Sequence, residues 1–188
     1  MCGFIHLIYG PMYSGKTSEL FKLKNRAEIA NKRCLLIKYS FDTRYDEKEA
    51  DNKLFTHEKV SQVAVLSKGR SLNDTLSQYD MKHYDAVFID EIQFYDDADI
   101  VCDRLANLDK EVFISGLQSS FERKPMGKMP ELFCISEIHT KLEAVCTVTK
   151  KNNACYTYRK TSDSQEEVIG GLETYIPLSR KGWLSKTN

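Results

Sequence analysis

The run Gly10-Pro11-Met12-Tyr13-Ser14-Gly15-Lys16-Thr17 carries the clearest chemistry in the sequence, because it fits the spacing GxxxxGK[ST]. Glycines let the backbone wrap so that successive N–H groups and a helix N-terminus face an anion. Lys16 brings charge for the β- and γ-phosphates of a triphosphate such as ATP, and the Thr17 hydroxyl suits a magnesium ion. Further along, the apolar run Ala86-Val87-Phe88-Ile89 ends in Asp90-Glu91. Carboxylates at the end of a buried strand emerge at the carboxyl edge of the sheet, where α/β proteins bind their ligands. Asp90 is therefore expected beside Thr17 at the magnesium, and Glu91 is expected to accept a proton from whatever attacks the γ-phosphate. The pair does not identify that attacker. Hydrolytic P-loop ATPases also place two acids here, with water as the nucleophile.

Positioning these residues requires a parallel sheet, and the sequence provides the alternation for one. Strand-like runs at Phe4 to Tyr9, Cys34 to Tyr39, Val63 to Leu66, Ala86 to Ile89 and Val112 to Ser115 alternate with helical patterns. Lys16 to Ala30 reads as a helix, Ser71 opens a second with Asp74 in its first turn, and Asp96 and Asp97 offer caps for a third reaching about Leu108. The expected class is α/β, a P-loop parallel sheet flanked by helices with right-handed crossovers. Two hydrophilic stretches, Asp42 to Lys53 and Lys150 to Glu167, read as irregular. After Pro125 a short helix around Pro130 to Glu137 leads into further strand-like pieces. The expected division is an ATP-binding core over residues 1–137 and a small C-terminal lobe over residues 138–188.

Bulk composition narrows the partners. The 188 residues suit one compact domain. Lys plus Arg and Asp plus Glu both number 27, so no net field draws in nucleic acid or an anionic membrane, and neither is expected as a partner. The start, MCGFIHLIYG, runs into a strand without a basic leader, and no apolar run approaches the roughly 20 residues that span a bilayer. A cytoplasmic location is expected. Cys2, Cys34, Cys102, Cys134, Cys146 and Cys155 are scattered with no CxxC pair, as expected of reduced thiols.

Several further blocks accompany the loop and the acidic pair. They are Ile37-Lys38-Tyr39, Asp42-Thr43-Arg44-Tyr45, Thr56-His57, Ile92-Gln93-Phe94, Gly116-Leu117, Phe121 through Gly127, Lys141 through Cys146, Tyr156-Thr157 and Val168-Ile169-Gly170-Gly171. In this order they resemble the thymidine kinase family of the cellular, bacterial and poxvirus kind, over nearly the whole chain. The resemblance implies transfer of the γ-phosphoryl group of ATP, with magnesium, to the 5′-hydroxyl of thymidine, in nucleotide salvage for DNA synthesis. Glu91 matches the family's general base. Gly10 through Thr17, Asp90, Gln93, Asp42 and Arg44 fall on the ATP side. Asp42 and Arg44 fit a solvated charged turn nearly as well. Phe94, Leu117, Phe121, Thr157, Glu166, Glu167, Val168, Ile169, Gly170 and Tyr175 fall on the nucleoside side. There Phe121 would stack on the thymine ring, although an ordinary core phenylalanine fits the same residue. The polar stretch after Cys155 corresponds to a lasso loop closing over the nucleoside. Self-association, as a homotetramer, is implied as well.

The chain also departs from the pattern. Cellular and bacterial relatives hold a structural zinc with two CxxC-like pairs, but here the first pair reads Cys146-Thr147-Val148-Thr149 and the second Ser179-Arg180-Lys181-Gly182. Thr, Ser and Gly do not supply the thiolates or imidazoles of a closed tetrahedral site, so zinc is not expected. Two other readings of the motifs stand beside the kinase: a P-loop ATPase with Glu91 activating water, and a nucleotide-sensing module without turnover.

Overall fold

The computed structural model describes residues 2–39, 53–55, 61–67, 69–160 and 174–187. The first half runs β1 (Phe4–Gly10), α1 (Lys16–Ile29), β2 (Cys34–Tyr39), β3 (Lys53–Phe55), β4 (Ser61–Val63), β5 (Val65–Ser67), α2 (Leu72–Leu76) and β6 (Ala86–Asp90). It continues with α3 (Ala98–Asn107), β7 (Glu111–Leu117), α4 (Met129–Ile135) and β8 (Ile138–Lys141). Six strands form one parallel sheet in the order β5-β2-β6-β7-β1-β8. Strict alternation gives this sheet two buried faces. Ile5, Leu7, Ile37, Val87, Ile89 and Ile114 pack on one side under Leu72, Val101, Leu105 and Leu132 of α2, α3 and α4. Ile8, Leu36, Phe88 and Phe113 pack on the other, against Leu20, Phe21 and Ala27 of α1. The fold is thus the expected α/β sheet covered by helices, and the carboxyl ends of β6, β7 and β1 lie side by side.

Three local expectations are corrected. The strand expected over Val63 to Leu66 is split, with Val63 closing β4 in an antiparallel pair with β3 and Val65 opening β5, the parallel edge. Asp97 stands at the N-terminus of α3 but makes no side-chain cap there. Its carboxylate instead accepts the Leu72 and Asn73 N–H groups of α2 at 2.7 and 3.0 Å and the Ser71 hydroxyl at 3.0 Å. The exposed amides of α2 therefore have two caps, Asp97 from across the fold and Ser71 Oγ on Asp74 N. The stretch Lys150 to Glu167 is not irregular throughout. It contains β10 (Asn152–Ala154) and β11 (Tyr156–Arg159). Thr157 and Arg159 are buried there, Thr157 against the Met12 N–H of the β1–α1 loop and Arg159 against the Phe121 ring.

β8, which the sequence division assigns to the C-terminal lobe, pairs in parallel with β1 from His6↔Ile138 to Tyr9↔Lys141. Beyond it come β9 (Ala144–Val145), β10, β11, β12 (Tyr175–Leu178) and α5 (Arg180–Thr187). These pieces form two short antiparallel pairs, β9 with β10 and β11 with β12. They close over a small core of Ala144, Cys146, Ala154, Leu178 and Trp183.

Candidate active site

The loop between β1 and α1 is shaped by backbone conformations that few residues adopt. Tyr13 and Gly15 take left-handed φ values of 65° and 82°. At Gly10 a Cβ would stand 2.5 Å from the Leu142 carbonyl oxygen and 2.6 Å from Ser14 Oγ, so a glycine is required. Ser14 Oγ and Lys16 Nζ both donate to the Pro11 carbonyl oxygen, each at 2.9 Å. The lysine thereby points inward and is buried. Burial pushes its pKa down, against the attraction of Glu91 and Asp90.

The acids stand where the strand order predicts. Both oxygens of buried Asp90 accept hydrogen bonds, Oδ2 from the Thr17 hydroxyl at 2.9 Å and Oδ1 from Ser115 at the end of β7. Thr17 and Asp90 offer adjoining hard oxygens at the mouth of the phosphate loop, a donor set that fits magnesium. Glu91 follows in a left-handed conformation with φ 57° and ψ 45°, uncommon for a residue with a Cβ. Burial and the neighbouring Asp90 charge raise its pKa, while Lys16, the Gln93 amide and Lys38 pull the other way. Gln93, expected at ATP, spends both ends of its amide on the protein. Nε2 donates to Glu91 Oε2, and Oε1 accepts the Leu117 N–H at 3.1 Å.

Phe121 sits in a turn built by Ser120, whose hydroxyl accepts the N–H groups of Glu122 and Lys124 at 3.2 Å each. The Arg159 guanidinium lies 3.7 Å from the centre of the half-buried Phe121 ring and covers one face. In the same turn Arg123 extends over the Trp183 ring at 4.9 Å, tying the turn to the C-terminal lobe. Thr157 reaches the phosphate loop, its hydroxyl accepting the Met12 N–H at 3.0 Å. Tyr175 is buried opposite Arg159 across the β11–β12 pair. Phe94 stacks on Tyr39 with ring centres 5.0 Å apart. The structure thus unites Gly10 through Thr17, Asp90, Glu91, Gln93, Leu117 and Thr157 through contacts, while Phe121 meets Arg159, which shares β11 with Thr157. Asp42, Arg44, Glu166, Glu167, Val168, Ile169 and Gly170 lie outside the described residues.

The thymidine kinase family model matches residues 3–183. The chain belongs to the thymidine kinase family. It is 40% identical to "Thymidine kinase 1" of Dictyostelium discoideum over 188 residues, all of this chain and 81% of that protein. It is 36% identical to the thymidine kinase of Rabbit fibroma virus (strain Kasza) over 179 residues, 95% of each chain. The thymidine kinase of Mycoplasma mobile is 39% identical over 181 residues, covering 95% of this chain and 86% of that one.

In this thymidine kinase family member the four positions singled out for zinc do converge, but as a hydrogen-bonded cluster. Ser179 Oγ donates to Cys146 Sγ at 3.3 Å, the Thr149 N–H donates to the same sulfur at 3.4 Å, and the Gly182 N–H donates to Ser179 Oγ at 3.2 Å. A Cβ on Gly182 would come within 2.9 Å of the sulfur, so the glycine is what lets α5 close on Cys146. These hydrogen bonds outweigh burial and hold the thiol down to about 6. One thiol with a hydroxyl, a backbone N–H and a glycine does not fit a zinc site.

Sequence reasoning missed Ser115 and Arg159 as site residues. Ser115 ends the expected strand Val112 to Ser115 beside the strand carrying Asp90, which was a usable signal. Arg159 lay in a stretch read as irregular, and nothing local marks an arginine that will be buried on a ring.

Proposed function

We propose that this chain transfers the γ-phosphoryl group of ATP to the 5′-hydroxyl of thymidine, giving thymidine monophosphate and ADP. The observation that carries the reading is the Glu91 carboxylate, half-buried just past the end of β6 beside the lysine of the phosphate loop, with its pKa raised. A raised carboxylate is a stronger base toward a hydroxyl, and its closeness to the loop suits a nucleophile attacking there. Family membership supports thymidine as the owner of that hydroxyl.

In this mechanism the loop amides and Lys16 take the β- and γ-phosphates, so the ammonium exchanges the Pro11 carbonyl for phosphate oxygen. Thr17 and Asp90 would hold magnesium, which neutralises phosphate charge when bound. Glu91 accepts the hydroxyl proton as the oxygen attacks phosphorus. Phe121 offers one ring face to the thymine, with Arg159 on the other. The segment containing Glu166 through Gly170 is assigned to the nucleoside, and Asp42 and Arg44 to the phosphates, on family resemblance. A closing lobe beyond the sheet, a cytoplasmic location and assembly as a homotetramer belong to the same proposal.

One assay tests it: ADP release by the purified chain with magnesium and ATP, with and without thymidine. Release that requires thymidine is expected. Thymidine-independent release indicates a water-activating ATPase, and nucleotide binding without turnover indicates a sensing module.

A further inference from the structure

Glu91 needs something to aim it. Its carboxylate is flanked by Asp90 on its own strand, Lys16 from α1 and Lys38 from β2. Left to these charges, it would be drawn onto Lys16 as an ion pair, away from a nucleophile and at the expense of phosphate binding. The group placed against this pull is the Gln93 side chain. Its two bonds also fix which way the amide faces, since a flipped amide would set its NH₂ against the Leu117 N–H.

Two glycines on separate segments leave Gln93 no room to move. A Cβ on Gly116 would lie 2.7 Å from Gln93 Oε1, and a Cβ on Gly127, itself left-handed at φ 49°, would lie 2.1 Å from the Gln93 carbonyl oxygen. The residue is buried as well. Side chain and backbone are therefore both gripped, and the donor end faces the carboxylate.

We propose that Gln93 is a positioning residue for phosphoryl transfer: its amide, anchored on the Leu117 N–H and backed by Gly116 and Gly127, holds one Glu91 oxygen so that the other meets the nucleoside hydroxyl. The inference rests on Glu91 being the base. It replaces the contact with ATP that family resemblance suggested for Gln93.

The test is a double-mutant cycle read by steady-state kinetics. Gln93→Met keeps the length but loses both bonds. It is expected to lower kcat roughly 10- to 100-fold, as a misplacement of about 1 Å does, with KM for ATP and for thymidine within about threefold. On a Glu91→Gln background the same change should alter kcat by less than about twofold, because there is no longer a base to aim. A raised KM for ATP with kcat retained would make Gln93 an ATP contact and overturn the proposal. An equal kcat loss on both backgrounds would make the role merely structural and overturn it too. If Gln93→Met does not fold, Gln93→Glu keeps size and the acceptor for Leu117 but removes the donor, and unchanged kcat in that variant overturns the proposal. Near-normal turnover in Glu91→Gln alone removes the base and the clamp together. An inactive Glu91→Gln beside a fully active Gln93→Met removes only the clamp.

Discussion

Burial and Asp90 lift Glu91 above the usual carboxylate range despite the nearby cations, and that shift bears on stability as well as on rate. The folded chain binds a proton at Glu91 more tightly than the unfolded chain does. Stability therefore falls as pH rises from the ordinary 4.5 through the raised folded value, and above that value the ionised carboxylate is a net cost. Glu91→Gln removes that cost along with the base. It is expected to retain ATP binding, to lose about 10²- to 10⁴-fold in phosphoryl transfer, and to melt at a higher temperature than the parent. Turnover near normal, or earlier melting in a calorimetric scan, contradicts the assignment. Lys16 behaves differently because its charge is used on ligand. Lys16→Ala should weaken ATP binding and transfer together, through loss of charge at the β- and γ-phosphates. Titration calorimetry showing unchanged ATP affinity would refute the phosphate-loop reading.

At the level of elements, the Ser120 turn and β11 jointly set the face on which a base can stack. Arg159 covers one side of Phe121, so a base stacking there would have only the opposite one. Phe121→Ala is expected to cost about 1–3 kcal/mol of thymidine binding with little change for ATP. Thymidine affinity that survives while the fold melts early would mark Phe121 as a core residue. The elements that serve the phosphates were legible because their signals are local. Alternation predicted β2 as Cys34 to Tyr39 and placed Asp90 at a strand end, and the glycine spacing predicted the loop and the start of α1. What escaped depends on partners distant in sequence. Asp97 caps α2 rather than its own helix because Leu72 and Asn73 approach it in space. Arg159 looks like a surface residue until Phe121 arrives beside it, and Thr157, placed at the site by resemblance, gives no sign in the sequence that its hydroxyl meets the Met12 N–H. Gln93 was legible as a site residue, but its partner Glu91 was not, since nothing in the spacing shows that a left-handed Glu91 turns back toward it.

On the scale of the molecule, the small core beyond the sheet closes around Cys146, whose sulfur is met by hydrogen-bond donors and apolar side chains. The sulfur receives Ser179 Oγ and the Thr149 N–H near the start of α5, a setting that favours a thiolate, and Gly182 lets the helix close over it. Ala144, Ala154, Leu178 and Trp183 pack around the same sulfur. Because Trp183 is the sole tryptophan, its fluorescence reports on this lobe separately from the helical signal of the core. The purified protein is expected to carry no stoichiometric zinc, and after chelation with magnesium restored it should keep both activity and Trp183 emission. The pH dependence supplies an independent check. Cys146 is held at about 6 against an ordinary 9.0, so the folded chain has released a proton that the unfolded chain retains. Lobe stability should therefore rise with pH between those values and be lost as pH falls through the lower one. Cys146→Ala should flatten that dependence in Trp183-detected melts. Elemental analysis giving about one tightly held zinc per chain, or loss of Trp183 emission on chelation, would show that a metal holds the lobe after all. A pH-independent melt in the parent chain would show instead that apolar packing alone does so.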